Sequence, residues 1–144
     1  MHCVAYDPYI DKNILAEFKI ELIDFEKLLQ LSNIISVHLP LTNETRELIN
    51  KDTFKKMTKS PIIINTSRGS IINEYDMLEA YSENLIAGFA LDVYDQEPVE
   101  KKLYDQITNE MNCIFTPHIA GITEESNFRV SKFIAESTIK FFKN

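Results

Sequence analysis

The sequence predicts an α/β fold: an open, doubly wound parallel sheet flanked by helices, ending in a long C-terminal helix. Three observations predict it. Short apolar runs alternate with segments of helical spacing along the chain, the pattern of βα units. The runs are continuous rather than alternating, as in Ile62-Ile63-Ile64, which suits strands covered on both faces. The length, 144 residues, suits one domain, since domains commonly run to about 100–200 residues.

Cys3-Val4-Ala5-Tyr6 reads as a buried strand that stops at Asp7-Pro8, because proline forces the residue before it into an extended conformation. Residues 11–18 read as a short helix and Ile20 to Ile23 as a second short strand. Phe25 to Leu31 has helical spacing at Phe25, Leu28 and Leu29. Ile34-Ile35-Ser36-Val37 is the next strand, stopped by His38-Leu39-Pro40. A polar turn at Thr42-Asn43-Glu44 precedes a helical piece from Lys51 to Met57. Pro61 to Asn65 is a strongly β-branched strand that runs into Thr66-Ser67-Arg68-Gly69. Asn73 caps a helix reaching Ser82, with Asp76 three positions on as an approximate capping box. Leu85 to Leu91 and Asn112 to Thr116 are the last two strands. Thr123 caps the final helix, which runs to about Phe142. Val130, Phe133, Ile134, Ser137 and Phe141 lie on one stripe of it, and Ala135, Ile139 and Phe142 on another, so its apolar face is broad.

Composition narrows the function classes. The formal charge is −7, from 22 acidic and 15 basic side chains, which disfavours nucleic acid or an anionic membrane as the main partner. Glycine is scarce, at 3 residues, so these residues contain no glycine-rich phosphate loop. Cys3 and Cys113 are far apart with no CxxC spacing, and read as reduced, buried thiols of a cytoplasmic protein. No signal peptide is seen, and the apolar runs are too short to span a bilayer. His2, His38 and His118 have no metal-ligand spacing, so no metal site is expected. Asp105 and Glu110 read as solvated loop charges.

In open α/β sheets ligands bind beyond the carboxyl ends of the strands. Asp7 follows the first strand, His38-Leu39-Pro40 the strand at 34–37, and Thr66-Ser67-Arg68 the strand at 61–65. Asp92 and, five positions on, Glu97 follow the strand at 85–91. His118, then Ala120 and Gly121, follow the last. A parallel sheet delivers all of these to one edge. Singly, each has a plain alternative: a turn histidine, an arginine solvating a loop, a turn carboxylate before Pro98. Jointly, Arg68, Glu97 and His118 offer a fixed cation, a carboxylate and a titratable imidazole.

The segments VAYDP, VHLPLTNETRELIN, IINTSRGSIINEYDMLEA, IAGFALDVYDQEP and FTPHIAG occur in the order and spacing of the D-isomer-specific 2-hydroxyacid dehydrogenases. The resemblance covers nearly the whole chain. It implies a partial Rossmann-type NAD-binding domain over 1–144, with the family's glycine-rich turn and most of its substrate domain lying outside these residues. It implies NAD as cofactor and a small D-2-hydroxy or 2-oxo acid as substrate, D-3-phosphoglycerate or glycerate/hydroxypyruvate in kind.

The resemblance also implies roles. Arg68 would bind the substrate carboxylate, His118 would serve as general acid/base, and Glu97 would bond its imidazole. Asp7, with Pro8, would bind the adenine-ribose hydroxyls and favour NAD over NADP. His38, Leu39 and Pro40 would flank the adenosine half. Thr66, Ser67 and Arg68 would line the nicotinamide half, Asp92 would lie near the carboxamide, and the loop His118 to Gly121, including Ala120, would close over the ring. The chemistry fits these residue types. A histidine can take and return a proton near neutral pH, a carboxylate on its other nitrogen fixes the tautomer, and arginine grips a carboxylate with a two-pronged fork. Two readings compete: a non-catalytic fragment acting as a self-associating or interaction domain, and a flavodoxin-like or receiver-type binding domain, which leaves the Arg-Glu-His set unexplained. A free sheet edge and the apolar final helix point to a homo-oligomer, a dimer.

Overall fold

The structure, a computed structural model, describes residues 2–11, 18, 20–99 and 112–143. The helix expected over 11–18 and the loop charges Asp105 and Glu110 lie outside the described residues. Among the described residues six strands, all parallel, form two sheets. Strand β1 (Val4–Ala5) pairs with β2 (Glu21–Leu22). Strands β3 (Ile34–Val37), β4 (Ile62–Asn65), β5 (Gly88–Leu91) and β6 (Cys113–Phe115) form a four-stranded sheet in that spatial order.

Local chemistry sets the helix boundaries. Helix α1 (Phe25–Leu31) starts where the Asp24 carboxylate accepts the Lys27 N–H, at 2.8 Å. Helix α2 (Lys51–Phe54) carries a reciprocal box between Asn50 and Thr53, and is shorter than the sequence reading to Met57. Helix α3 (Glu74–Ser82) is capped by Asn73, whose side chain accepts the Asp76 N–H. The return arm expected from Asp76 is redirected: its carboxylate accepts the Lys51 N–H at 2.8 Å. Asp76 thus caps the neighbouring helix α2, tying the two helices together. Helix α4 (Glu124–Lys143) begins where the Thr123 hydroxyl accepts the Ser126 N–H.

The core lies between the four-stranded sheet and α1 to α3. Phe54, Ile63 and Ile71 are fully buried, with Leu29, Met77, Ile86 and Phe89 nearly so. Phe89 meets Tyr81 and Phe115 edge-on, at ring separations of 5.7 and 5.8 Å, a favourable aromatic geometry.

Two expectations are corrected. Burial on both faces holds for the middle of the sheet, where three of the four β5 residues are buried, and not for its margins. In β3 only Ile35 and Val37 are buried while Ile34 and Ser36 face outward, and in β6 Ile114 is exposed. No described helix covers the second face of those strands. The thiols are also not both buried: Cys3 is exposed and Cys113 partly so, and burial pushes the Cys113 thiol up from its ordinary value.

Helix α4 buries none of its residues, and Phe128, Phe133, Phe141 and Phe142 stand exposed along it. No helix among the described residues is long and apolar enough to cross a membrane.

The packing predicts a contrast. Phe54→Ala, at a fully buried position, should cost about 3–5 kcal/mol by urea denaturation. Phe141→Ser on the open face of α4 should stay within about 0.5 kcal/mol. A larger effect at position 141 would mean that α4 is covered in solution.

Candidate active site

Because β3 to β6 are parallel and in register, Val37, Asn65, Leu91 and Phe115 end at one edge. The next residues of each strand form the site. After β4, the Asn65 side chain folds the turn. It is 1% exposed, its Oδ1 accepts the Ser67 N–H and hydroxyl, and its Nδ2 donates to the Arg68 carbonyl at 2.9 Å. The chain thereby turns out of the sheet and presents the exposed Arg68. That guanidinium donates to the Ser67 carbonyl at 2.6 Å, and no described acidic side chain lies within ion-pair distance of it.

The loops after β4 and β5 meet at Gly69. A Cβ built there would lie 1.8 Å from the Tyr94 carbonyl carbon, so any side chain would drive the two backbones apart. This approach sets the Arg68 loop against the loop that carries Glu97.

After β6, the Asp92 carboxylate organises the turn that bears His118. Asp92 is 3% exposed. It accepts the Thr116 hydroxyl and the Ile119 N–H on Oδ1 and the Ala120 N–H on Oδ2, the last two at 2.9 Å. Burial pushes its carboxyl up, and the Thr116 hydroxyl with the two backbone N–H groups outweighs that, so its pKa lies below the ordinary 3.8. Tyr94 adds a second brace, donating its hydroxyl to the Thr116 carbonyl at 2.9 Å. Between these anchors His118 sits in the left-handed region, at φ 56°, a conformation that costs an L-residue about 1–2 kcal/mol.

His118 Nδ1 lies 2.8 Å from Glu97 Oε2 and 3.1 Å from Oε1. The Tyr94 N–H also donates to Glu97 Oε1, at 3.1 Å. The imidazole and then the Tyr94 N–H hold the Glu97 carboxyl below its ordinary value. No described residue engages His118 Nε2. Arg68, Glu97 and His118 line one cleft of about 230 Å³, walled on its apolar side by Leu41 and Val93.

The residues expected to flank an adenosine lie toward the other end. Asp7 Oδ1 accepts the Tyr9 N–H at 2.8 Å and the Ile10 N–H at 3.2 Å, while Oδ2 has no described partner. The Tyr9 hydroxyl donates to Glu44 at 2.9 Å, tying the loop after β1 to the loop after β3. Pro8 and His38 are exposed and Leu39 half-buried. The Pro40 carbonyl accepts the Thr45 hydroxyl at 2.6 Å, and His38 Nε2 lies 2.8 Å from the Ser36 hydroxyl. Thr66, Ala120 and Gly121 are exposed and Ser67 half-buried.

The donor set fits a nicotinamide dinucleotide. Asp7 keeps one carboxylate oxygen without a described partner, which would suit a vicinal diol, and Thr66 is exposed next to Ser67, whose hydroxyl donates to Asn65. The Asp92 carboxylate is buried and engaged by the chain's own loop. Among the described residues no group of three or more His, Cys, Asp or Glu side chains is placed to hold a metal.

Sequence reading had not singled out Asn65, Gly69, Tyr94 or Thr116. For Asn65 the available signal was an amide closing a run of buried β-branched residues.

Comparison with known proteins identifies the family and the fold. Residues 1–120 match the family described as D-isomer specific 2-hydroxyacid dehydrogenase, NAD binding domain. The chain is 38% identical over 143 residues to a D-3-phosphoglycerate dehydrogenase of Archaeoglobus fulgidus, covering 99% of this chain and 27% of the relative. It is 33% identical over 141 residues to a glyoxylate reductase of Korarchaeum cryptofilum, covering 98% and 42%. The crystal structure of a D-lactate dehydrogenase from Aquifex aeolicus, complexed with NAD and lactic acid, superposes with a TM-score of 0.86 at 28% identity, over 99% of this chain and 46% of that one. The chain thus spans less than half the length of each of these relatives.

The Asp92 network predicts a pH signature. Its carboxyl is depressed in the folded state, so its stabilisation is fully present above the unfolded value and lost as pH falls through the lower folded one. Asp92→Asn should cost about 2–4 kcal/mol at pH 7 and speed hydrogen exchange at the Ile119 and Ala120 amides. The difference from wild type should shrink below about pH 4. A constant difference down to pH 2 would sink the assignment.

Proposed function

The chain belongs to the D-isomer specific 2-hydroxyacid dehydrogenase family, and on that premise we propose that it carries the acid–base and carboxylate-binding part of an active site that interconverts a small D-2-hydroxy acid and its 2-oxo acid. The observation that supports this most directly is the Glu97–His118 contact at 2.8 Å, in the same cleft as an Arg68 that has no described acidic partner.

Arg68 receives the substrate carboxylate. Its guanidinium is fixed at one end by the Ser67 carbonyl, which leaves N–H groups for a forked contact. His118 moves the proton. With Nδ1–H donated to Glu97, the free lone pair of the neutral ring is on Nε2, which takes the hydroxyl proton on oxidation and returns it on reduction. Glu97 holds the ring orientation and stabilises the imidazolium as it forms. NAD, when bound, supplies the acceptor and donor of the hydride. Asp7 would hold its ribose hydroxyls through Oδ2, and Thr66 and Ser67 would meet its nicotinamide half. The glycines of the sequence stand at 69, 88 and 121. In this reading the glycine-rich contacts to pyrophosphate come from outside these 144 residues.

A second reading, a self-associating domain without turnover, draws on α4, whose exposed phenylalanines suit a homodimer contact. Titrating NADH into the chain while following its fluorescence separates the two. Saturable binding supports the dehydrogenase reading, and its absence at millimolar NADH in a protein that joins this chain to the glycine-rich contacts supports the other.

In an active enzyme containing this chain, His118→Ala should lower kcat about 10²–10⁴-fold and change NADH affinity little. Arg68→Lys should raise KM for the acid and lower kcat together, because a point charge cannot reproduce the fork. Steady-state kinetics read both, and unchanged rates in either variant refute the assigned role.

A further inference from the structure

Tyr94 reaches both members of the acid–base pair. Its backbone N–H donates to Glu97 Oε1 at 3.1 Å, which leaves Oε2 as the oxygen nearer to His118 Nδ1, at 2.8 Å. Its hydroxyl crosses toward the next strand, 2.9 Å from the Thr116 carbonyl and 3.3 Å from the Leu91 carbonyl. A phenol has one proton to donate, and the shorter contact is the one to Thr116. Only Pro117 separates Thr116 from His118. The proline ring fixes its own φ at about −65°, so a carbonyl held at Thr116 leaves few free rotations before the imidazole.

Tyr94 is itself a fixed reference. It is buried, its ring stacks on Phe115 at 6.4 Å, and its backbone lies against Gly69. The residue after it is tied down as well. The Asp95 N–H donates to Glu74 Oε1 at 2.8 Å, at the start of α3, and the Asp95 carboxylate accepts the Ser70 hydroxyl. Asp92 grips the His118 loop through Thr116, Ile119 and Ala120. Tyr94 grips that loop and the Glu97 carboxylate at once.

We propose that Tyr94 is a positioning residue for proton transfer, its backbone N–H and its hydroxyl together setting the spacing of Glu97 and His118. This rests on the reading that those two side chains form the acid–base pair.

The Glu97 carboxyl reports the spacing, because the His118 imidazole is the first cause that holds it below its ordinary value. The other described charged groups near it are Arg68, Asp92 and Asp95, and Tyr94→Phe alters none of them. The Glu97 carboxyl carbon is titrated by NMR in the 144-residue chain and in three variants. His118→Ala removes the partner and should move the titration up toward the ordinary carboxylate range. Tyr94→Phe keeps the ring, removes only the hydroxyl, and should move it up part of the way. Tyr81→Phe removes a hydroxyl that accepts the Asn112 N–H just before β6, and should leave the titration where it was. In the wild-type chain the Tyr94 hydroxyl proton should exchange slowly with water, a reading that needs no variant to fold. In an active enzyme containing this chain, Tyr94→Phe should lower kcat about three- to thirtyfold while KM for the acid changes less than about twofold, since a small misplacement of a proton-transfer group costs rate. If Tyr94→Phe leaves the Glu97 titration or kcat unmoved, if Tyr81→Phe moves the titration as far, or if the Tyr94 hydroxyl proton exchanges freely, Tyr94 does not set the spacing, and the acid–base reading stands. If His118→Ala itself leaves the Glu97 titration or kcat unchanged, the pair is wrong and the role of Tyr94 falls with it.

Discussion

A single buried carboxylate holds the candidate site in shape. Removing Asp92 from water carries a desolvation penalty of several kcal/mol for an uncompensated charge. The chain offsets it with the Thr116 hydroxyl and the Ile119 and Ala120 N–H groups. Those donors flank His118 in sequence, so the bonds that solvate the carboxylate also determine where the imidazole stands. They offset the left-handed backbone at His118 as well, which a freer loop would relax toward a commoner conformation.

From that anchor the rest of the site follows by contact. His118 reaches Glu97, and Glu97 is also held by the Tyr94 N–H. The Tyr94 backbone lies against Gly69, and Gly69 follows Arg68. Arg68, Glu97 and His118 therefore belong to one chain of contacts, though they follow three separate strands. Asn65 completes it from below by bending the segment that presents Arg68. Such pre-organisation is what a hydride transfer coupled to a proton transfer requires, because both need their groups fixed at short range.

Much of this was legible in the sequence. The succession of strands along the chain and the polar residue after each follow from apolar runs broken by Pro, His, Asp and Arg. A parallel arrangement then places Arg68, Glu97 and His118 at one edge. Less legible were contacts between side chains and distant backbone. Asp92 reads as one more polar residue after a strand, and nothing local reveals that its partners lie 24 to 28 positions away. Asp76 reads as the return arm of its own cap, yet the Asn73 N–H donates to the Ile49 carbonyl and the packing of α2 against α3 offers Asp76 the Lys51 N–H instead. The apolar run at 34–37 suggests burial on both faces, but periodicity cannot say which faces find a covering helix, and Ile34 finds none among the described residues. Cys3 was misjudged for the same reason.

The seam between Gly69 and Tyr94 has a consequence for recombination. With no room for even a methyl group between the two backbones, each loop is shaped to its counterpart across the seam. A chimera that exchanges the segment after β4 with a homologue while retaining the segment after β5 splits a fitted pair. Crossover points placed before Ile62 and after Pro98 would transplant both halves as one cassette.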